Sequence, residues 1–168
     1  MEYFELFDIP VQLEVDTAPL TGKFFELSRK YHPDYFANDN EIVQLEALEK
    51  SALLNKAWKT FQHPDATIKY VLKEKGLLEE EEKYELPPGF LMEVLELNEL
   101  LMDGDATDIK NIQSSIFNLQ STIYAPVKEI VESYQEGITT EKELLQVKEY
   151  YYKKKYLDRI NRELSAGK

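Results

Sequence analysis

The sequence predicts an all-α protein in two parts: a front domain built on a helical hairpin with short flanking helices, and a rear three-helix bundle. Leu, Glu and Lys are abundant while only 6 glycines and 7 prolines punctuate 168 residues, a balance that favours helix over sheet. Apolar residues return at i, i+4, i+7 and i+11 in successive segments. Prolines and capping residues stand at the edges of most of those segments, where helices start and stop.

Tyr3-Phe4-Glu5-Leu6-Phe7 is a short aromatic run ending at Asp8-Ile9-Pro10, enough for one or two helical turns that need support from something larger. Asp16-Thr17 offers a cap, with Pro19 in the opening turn. Leu20, Phe24, Leu27 and Tyr31 then mark one face of a helix that Pro33 ends. Asn38-Asp39-Asn40 caps a long helix running to about Gln62, whose stripe is Leu54, Ala57, Trp58 and Phe61. After His63-Pro64-Asp65 a fourth helix with Ile68, Val71 and Leu72 closes at Gly76.

Residues 77–88 change character. Glu79 to Glu82 is an unbroken acidic run and Pro87-Pro88-Gly89 interrupts any helix, so 77–88 is expected to be a solvated linker between a domain at 1–76 and another at 89–168. Three helices are expected beyond it, at about 89–102, 105–136 and 140–164. The turns fall at Asp103-Gly104-Asp105 and Gln135-Glu136-Gly137, and Pro126 should kink or break the second helix near Ala125. Short connections make such helices pack antiparallel.

Charge and composition narrow the function. With 32 acids against 20 bases and a net charge of -12, no broad nucleic-acid footprint is expected. Tyr150-Tyr151-Tyr152 followed by Lys153 to Lys155 could suggest base stacking, but helical spacing sends the three rings to different faces, and at least one belongs to the core. The absence of cysteine leaves no disulfide, thiolate metal site or cysteine nucleophile. No stretch reaches the roughly 20 apolar residues of a membrane span, and no signal or transit peptide is legible, so the cytoplasm is the expected location. Two histidines, each beside a proline, offer no convincing catalytic set; neither an enzyme nor a cofactor is expected.

His32-Pro33-Asp34 stands between an amphipathic helix and the cap of a longer one. Alone the tripeptide is a weak signal. With Tyr31 before it, Arg29 and Lys30 beside it, an aromatic helix opening the domain and the Leu54-x-x-Ala57-Trp58-x-x-Phe61 stripe following, the segment resembles the J domain, a module that activates DnaK-type ATPases. In that family the two long helices pair antiparallel and lift the loop to their tip. Pro33 fixes one direction for the chain, Asp34 is a carboxylate suited to a bidentate pair with an arginine of the partner, and His32 supplies a flat ring. A plain turn is the alternative. The second copy, His63-Pro64-Asp65, lies between the third and fourth helices, where a proline and an acid are ordinary start signals. Chaperone-facing residues are thus His32, Pro33, Asp34, Lys23, Arg29 and Lys30. Phe25, Glu26 and Tyr35 stand where J domains often carry bases, so docking should be weak and less salt-dependent than usual.

The whole layout resembles the HscB family, co-chaperones of iron–sulfur cluster assembly. Tyr3-Phe4-x-Leu6-Phe7, Tyr31-His32-Pro33-Asp34-x-Phe36-Ala37, Ser51-Ala52-x-x-Asn55-x-Ala57-Trp58 and Phe90-Leu91-Met92-Glu93-x-Leu95-Glu96-Leu97 carry the likeness. Phe90, Val94, Leu97 and Leu101 already complete a core stripe, with Leu91 and Leu95 about 100° round and Met92 about 200°. Leu91 and Leu95 either widen that stripe or join Met92 in an exposed patch beside Glu96 and Glu99. The resemblance favours the patch, because Leu91, Met92, Leu95 and Glu96 match positions that contact the cluster scaffold, with Tyr156 an aromatic position of the same surface. It implies a co-chaperone that stimulates a DnaK/HscA-type chaperone and delivers the scaffold protein (IscU-like) to it, as a monomer with weak self-association at most. Another client for the rear bundle, or a structural adaptor, are the alternatives.

Overall fold

A computed structural model describes residues 1–103 and 106–166 of the chain. Among the described residues every regular element is helical. The chain divides into two compact units, Met1–Gly76 with Tyr134–Ile138, and Leu77–Ser133 with Thr139–Lys168.

The front unit holds α1 (Glu2–Phe7), α2 (Thr21–Lys30), α3 (Glu41–Phe61) and α4 (Pro64–Glu74), with single 3-10 turns at Ala18–Leu20 and Pro33–Phe36. Ahead of the 3-10 turn before α2, Asp16 Oδ1 accepts the Ala18 N–H at 3.2 Å, while Thr17 is the N-cap residue. The helix α3 packs against α1, α2 and α4, and its short link to α2 makes the two an antiparallel hairpin. Aromatic rings fill the space between. Phe61 meets Phe4 at 5.1 Å and Phe7 at 5.5 Å, while Trp58 stacks on Phe24 at 4.7 Å. Phe4, Phe7 and Phe61 are buried, each contributing roughly 1.5–3 kcal/mol by leaving water. This is how a six-residue helix holds its place: Tyr3 also stacks on Tyr70 at 4.1 Å and donates its N–H to the Tyr70 hydroxyl at 3.2 Å. α4 stops at Gly76, whose φ of 72° suits a residue without a Cβ.

The rear unit is built from α5 (Pro88–Asp103), α6 (Ala106–Tyr124), the short α7 (Lys128–Glu132) and α8 (Glu141–Ala166). α5 packs on α6 and on α8, and α6 on α8, giving the expected three-helix bundle. The expected second helix is divided: Pro126 cannot donate to the ladder, so α6 ends at Tyr124 and α7 begins at Lys128. Gly104 and Asp105 of the expected Asp103-Gly104-Asp105 turn lie outside the described residues. Thr140 and Glu143 form a capping box at the start of α8, the Thr140 N–H donating to Glu143 Oε2 at 2.7 Å and the Glu143 N–H to Thr140 Oγ1 at 3.2 Å.

The acidic run at 79–82 is fastened at Glu82, while Glu79, Glu80 and Glu81 are exposed as a solvated run would be. Glu82 accepts from Lys148 Nζ at 2.9 Å and from the Tyr152 hydroxyl at 3.0 Å, and Tyr84 lies flat on Tyr152 at 4.6 Å. Lys148 and Tyr152, one turn apart on α8, both face this strand of chain. The Lys148 hydrogen bond holds the Glu82 carboxyl below its ordinary value of 4.5; burial, with the bond to Glu82, pushes the Tyr152 phenol up. The tyrosine run is buried more fully than the expected minimum of one core ring. Tyr150, Tyr151 and Tyr152 are all buried, because Tyr84 covers Tyr152 and the Tyr150 ring meets Tyr124. A stacking platform for bases has no rings left to offer there.

Candidate functional site

The front site lies at the end of the α2–α3 hairpin. α2 stops at Lys30, its terminal carbonyls beside Arg29 and Lys30, cations that suit the negative end of a helix. Pro33 then opens the 3-10 turn Pro33–Phe36. His32 bends back within its own loop: Nδ1 accepts the Asp34 N–H at 3.3 Å and lies 3.6 Å from Asp34 Oδ2. An Nδ1 that accepts leaves the proton of the neutral ring on Nε2, so the imidazole presents a donor at its far side. The His32 side chain is 51% exposed and that of Asp34 89%. A donor and a carboxylate therefore stand together in solvent on a bend that proline stiffens.

A residue that sequence reasoning did not single out holds this bend in place. Gln44, in the first turns of α3, donates to the carbonyls of Ala37 at 3.1 Å and Asp39 at 2.9 Å. Beside it Asn40 Oδ1 caps α3 by accepting the Val43 N–H at 3.0 Å. Lys50 lies over the Tyr31 ring at 5.2 Å, with Lys30 over the same ring at 5.4 Å. The only local signal for Gln44 is its place four residues after the cap. Of the bases expected to face a partner, Arg29 and Lys30 are exposed and Lys23 is half-buried. Lys23 and Lys30 share one helical face, while Arg29 lies about 100° round on the face of Phe25, which is itself 56% exposed.

The rear site is the outer face of α5. Phe90, Val94 and Leu97 are buried and Leu101 half-buried, so the core stripe has the expected register. Leu91, Met92 and Leu95 are 42%, 60% and 50% exposed; they do not widen the core. Glu96 and Glu99 are exposed beside them. α5 carries Glu93, Glu96, Glu99 and Asp103 but neither Lys nor Arg, so its outer face is apolar with an acidic border. Tyr156, half-buried on α8, follows Lys153 by three residues and so shares its side of the helix; Lys153 reaches α5, lying over Phe90 at 5.7 Å. Methionine and leucine beside carboxylates are suited to adaptable protein docking.

Comparison with known proteins agrees with this layout. Residues 86–165 match the family described as the HSCB C-terminal oligomerisation domain. The chaperone HscB from Vibrio cholerae superposes with a TM-score of 0.75 at 26% identity, over 99% of this chain and 96% of that one. The chain is similar to HscB co-chaperones along almost its whole length. The crystal structure of human co-chaperone protein HscB is similar with a TM-score of 0.81 and 28% identity, over 99% of this chain and 82% of that chain. The likeness to HscB structures thus runs through both units and includes the segment before α5. Among the described residues no helix is long and apolar enough to cross a membrane.

Proposed function

We propose that this HscB-type chain serves iron–sulfur cluster assembly in the cytoplasm, its front domain (1–76) stimulating the ATPase of a DnaK/HscA-type chaperone and its rear domain (89–168) delivering the cluster scaffold protein to that chaperone. The chain itself carries out no catalysis. His32, Pro33 and Asp34, with Arg29, Lys30 and Lys23 on α2, form the chaperone contact; Asp34 pairs with a partner arginine and so favours one state of the ATPase. Leu91, Met92, Leu95, Glu96, Glu99 and Tyr156 form the scaffold contact.

The observation that carries this reading is the exposure of both surfaces within one HscB-type chain. Leu91, Met92 and Leu95 on α5 are left in water although the helix already has a full core stripe, which is the mark of a surface kept for a partner. The test is retention of a cluster scaffold by the full chain in a pull-down. Changing Leu91, Met92 and Leu95 to serine should weaken binding at least tenfold, as loss of central apolar anchors does, with the helical circular dichroism unchanged. Undiminished retention by the triple variant would remove the client half of the proposal.

A second reading of the same patch has the matched family's description in its favour, which names oligomerisation. We assign the patch to the scaffold and the chain to a monomer with weak self-association. Sedimentation equilibrium showing a stable oligomer that the triple serine variant dissolves would reverse that assignment.

A further inference from the structure

Tyr35 has no structural task that accounts for its position. It follows Asp34 in the 3-10 turn, its backbone fixed by an N–H bond to the His32 carbonyl at 3.1 Å, yet its side chain is 71% exposed. The ring stands edge-on to His32 at 6.3 Å and 83°. Between them opens a cavity of about 360 Å³ lined by Ser28, Arg29, His32, Asp34 and Tyr35. One wall is therefore a carboxylate, one a guanidinium and one an aromatic ring, all at the very tip of the hairpin.

The charges of that cavity restrict what can enter. A cation drawn to Asp34 also approaches Arg29, whose like charge opposes it. A compact ammonium would meet that repulsion as a strongly hydrated point charge, without a flat face to lay on a ring. A guanidinium differs, because it is flat, more weakly hydrated and able to pair with a carboxylate by its edge while a ring covers its face. The face of Tyr35 attracts a cation through its quadrupole, an interaction that needs no net charge on the ring.

We propose that Tyr35 is a specificity-determining residue for the chaperone: its ring, sharing the tip cavity with Asp34, stacks on the guanidinium that Asp34 pairs, so the chain selects ATPases with arginine over lysine at that contact. The inference rests on the tip being the chaperone contact and adds the residue that reads the partner's chemistry. Asp34 carries the coupling to ATP hydrolysis; Tyr35 contributes affinity.

Steady-state ATP turnover of a DnaK-type chaperone, titrated with the full-length protein and its variants, tests this. Tyr35→Ala and Tyr35→Leu should each raise the half-maximal concentration about two- to fivefold, the factor for an exposed cation–ring contact, with the maximum stimulation unchanged. Tyr35→Phe should titrate as the parent does. The slope of half-maximal concentration against salt should be the same for the parent and Tyr35→Ala, since no charge is removed. The proposal is overturned if Tyr35→Ala matches the parent. It is equally overturned if Tyr35→Leu does so, which would mean simple apolar burial, or if Tyr35→Phe is as weak as Tyr35→Ala, which would assign the effect to the hydroxyl. Stimulation that disappears with Asp34→Asn yet ignores position 35 sinks this inference alone. A parent protein that never stimulates sinks the reading of the tip as well.

Discussion

The tripeptide His-Pro-Asp stands twice in this chain, and the two copies are built into opposite circumstances. At 32–34 the proline opens a four-residue 3-10 turn, and the histidine bonds the aspartate's own N–H, leaving the carboxylate in solvent. At 63–65 the proline is the first residue of an eleven-residue helix and His63 is its N-cap without a side-chain cap bond. There the buried Thr67 hydroxyl donates to the carbonyls of Thr60 at 2.8 Å and His63 at 3.3 Å, tying the start of α4 to the end of α3. The same three residues make a projecting tip in one place and a joint in the other. Identity of sequence decides little here; what decides is whether the carboxylate has a helix behind it.

The widest separation should come from neutralising the two aspartates. On the proposed function, Asp34→Asn removes the ion pair with the partner, and couplings of this kind amount to about 1–3 kcal/mol, so stimulation of the chaperone's ATPase should fall at least about fivefold. Asp65→Asn should leave it unchanged. Equal losses in a turnover assay would erase the distinction between tip and joint. The opposite dissociation belongs to Thr67→Val. Valine keeps the shape of a side chain that is 0% exposed but removes the hydroxyl donor. Thr60 O still receives the His63 N–H and His63 O the Thr67 N–H, so the cost should be about 1 kcal/mol. In calorimetry of the full chain that is a fall of about 4–8 °C in the transition of a domain this size, with maximal stimulation intact.

The contrast also marks what was legible in the sequence. Helix positions and core stripes followed from spacing, and the break at Pro126 from the chemistry of the ring, because these are local rules. The different surroundings of the two tripeptides were legible for the same reason. On α5 the register predicted the buried Phe90, Val94 and Leu97, but left open whether Leu91 and Leu95 joined the core. The structure turns both outward. The clasp at Glu82 was invisible, since its partners Lys148 and Tyr152 lie 66 and 70 positions away and an acidic run reads as solvated whenever its cations are remote. The cover that Tyr84 gives Tyr152 was hidden for the same reason. Gln44 escaped notice because its two bonds go to loop carbonyls, which every residue possesses.

The smallest effect bears most directly on why the second copy is a joint. Asp65 sits in the first turn of α4, where unpaired N–H groups and the aligned peptide dipoles favour a negative charge. Asp34 sits in a turn too short to sum many peptide dipoles, and its side chain is 89% exposed. Asp65→Asn should therefore cost about 0.3–1 kcal/mol of stability at low ionic strength, and Asp34→Asn close to nothing. Salt sharpens the comparison: a charge–dipole contribution in the first turn is screened, so the deficit of Asp65→Asn should shrink as sodium chloride is raised toward 1 M, where the Debye length is about 3 Å. A deficit that persists undiminished in high salt would instead assign Asp65 a short, directional hydrogen bond. The joint would then rest on one specific contact, and the general preference of helix starts for acids would not explain it.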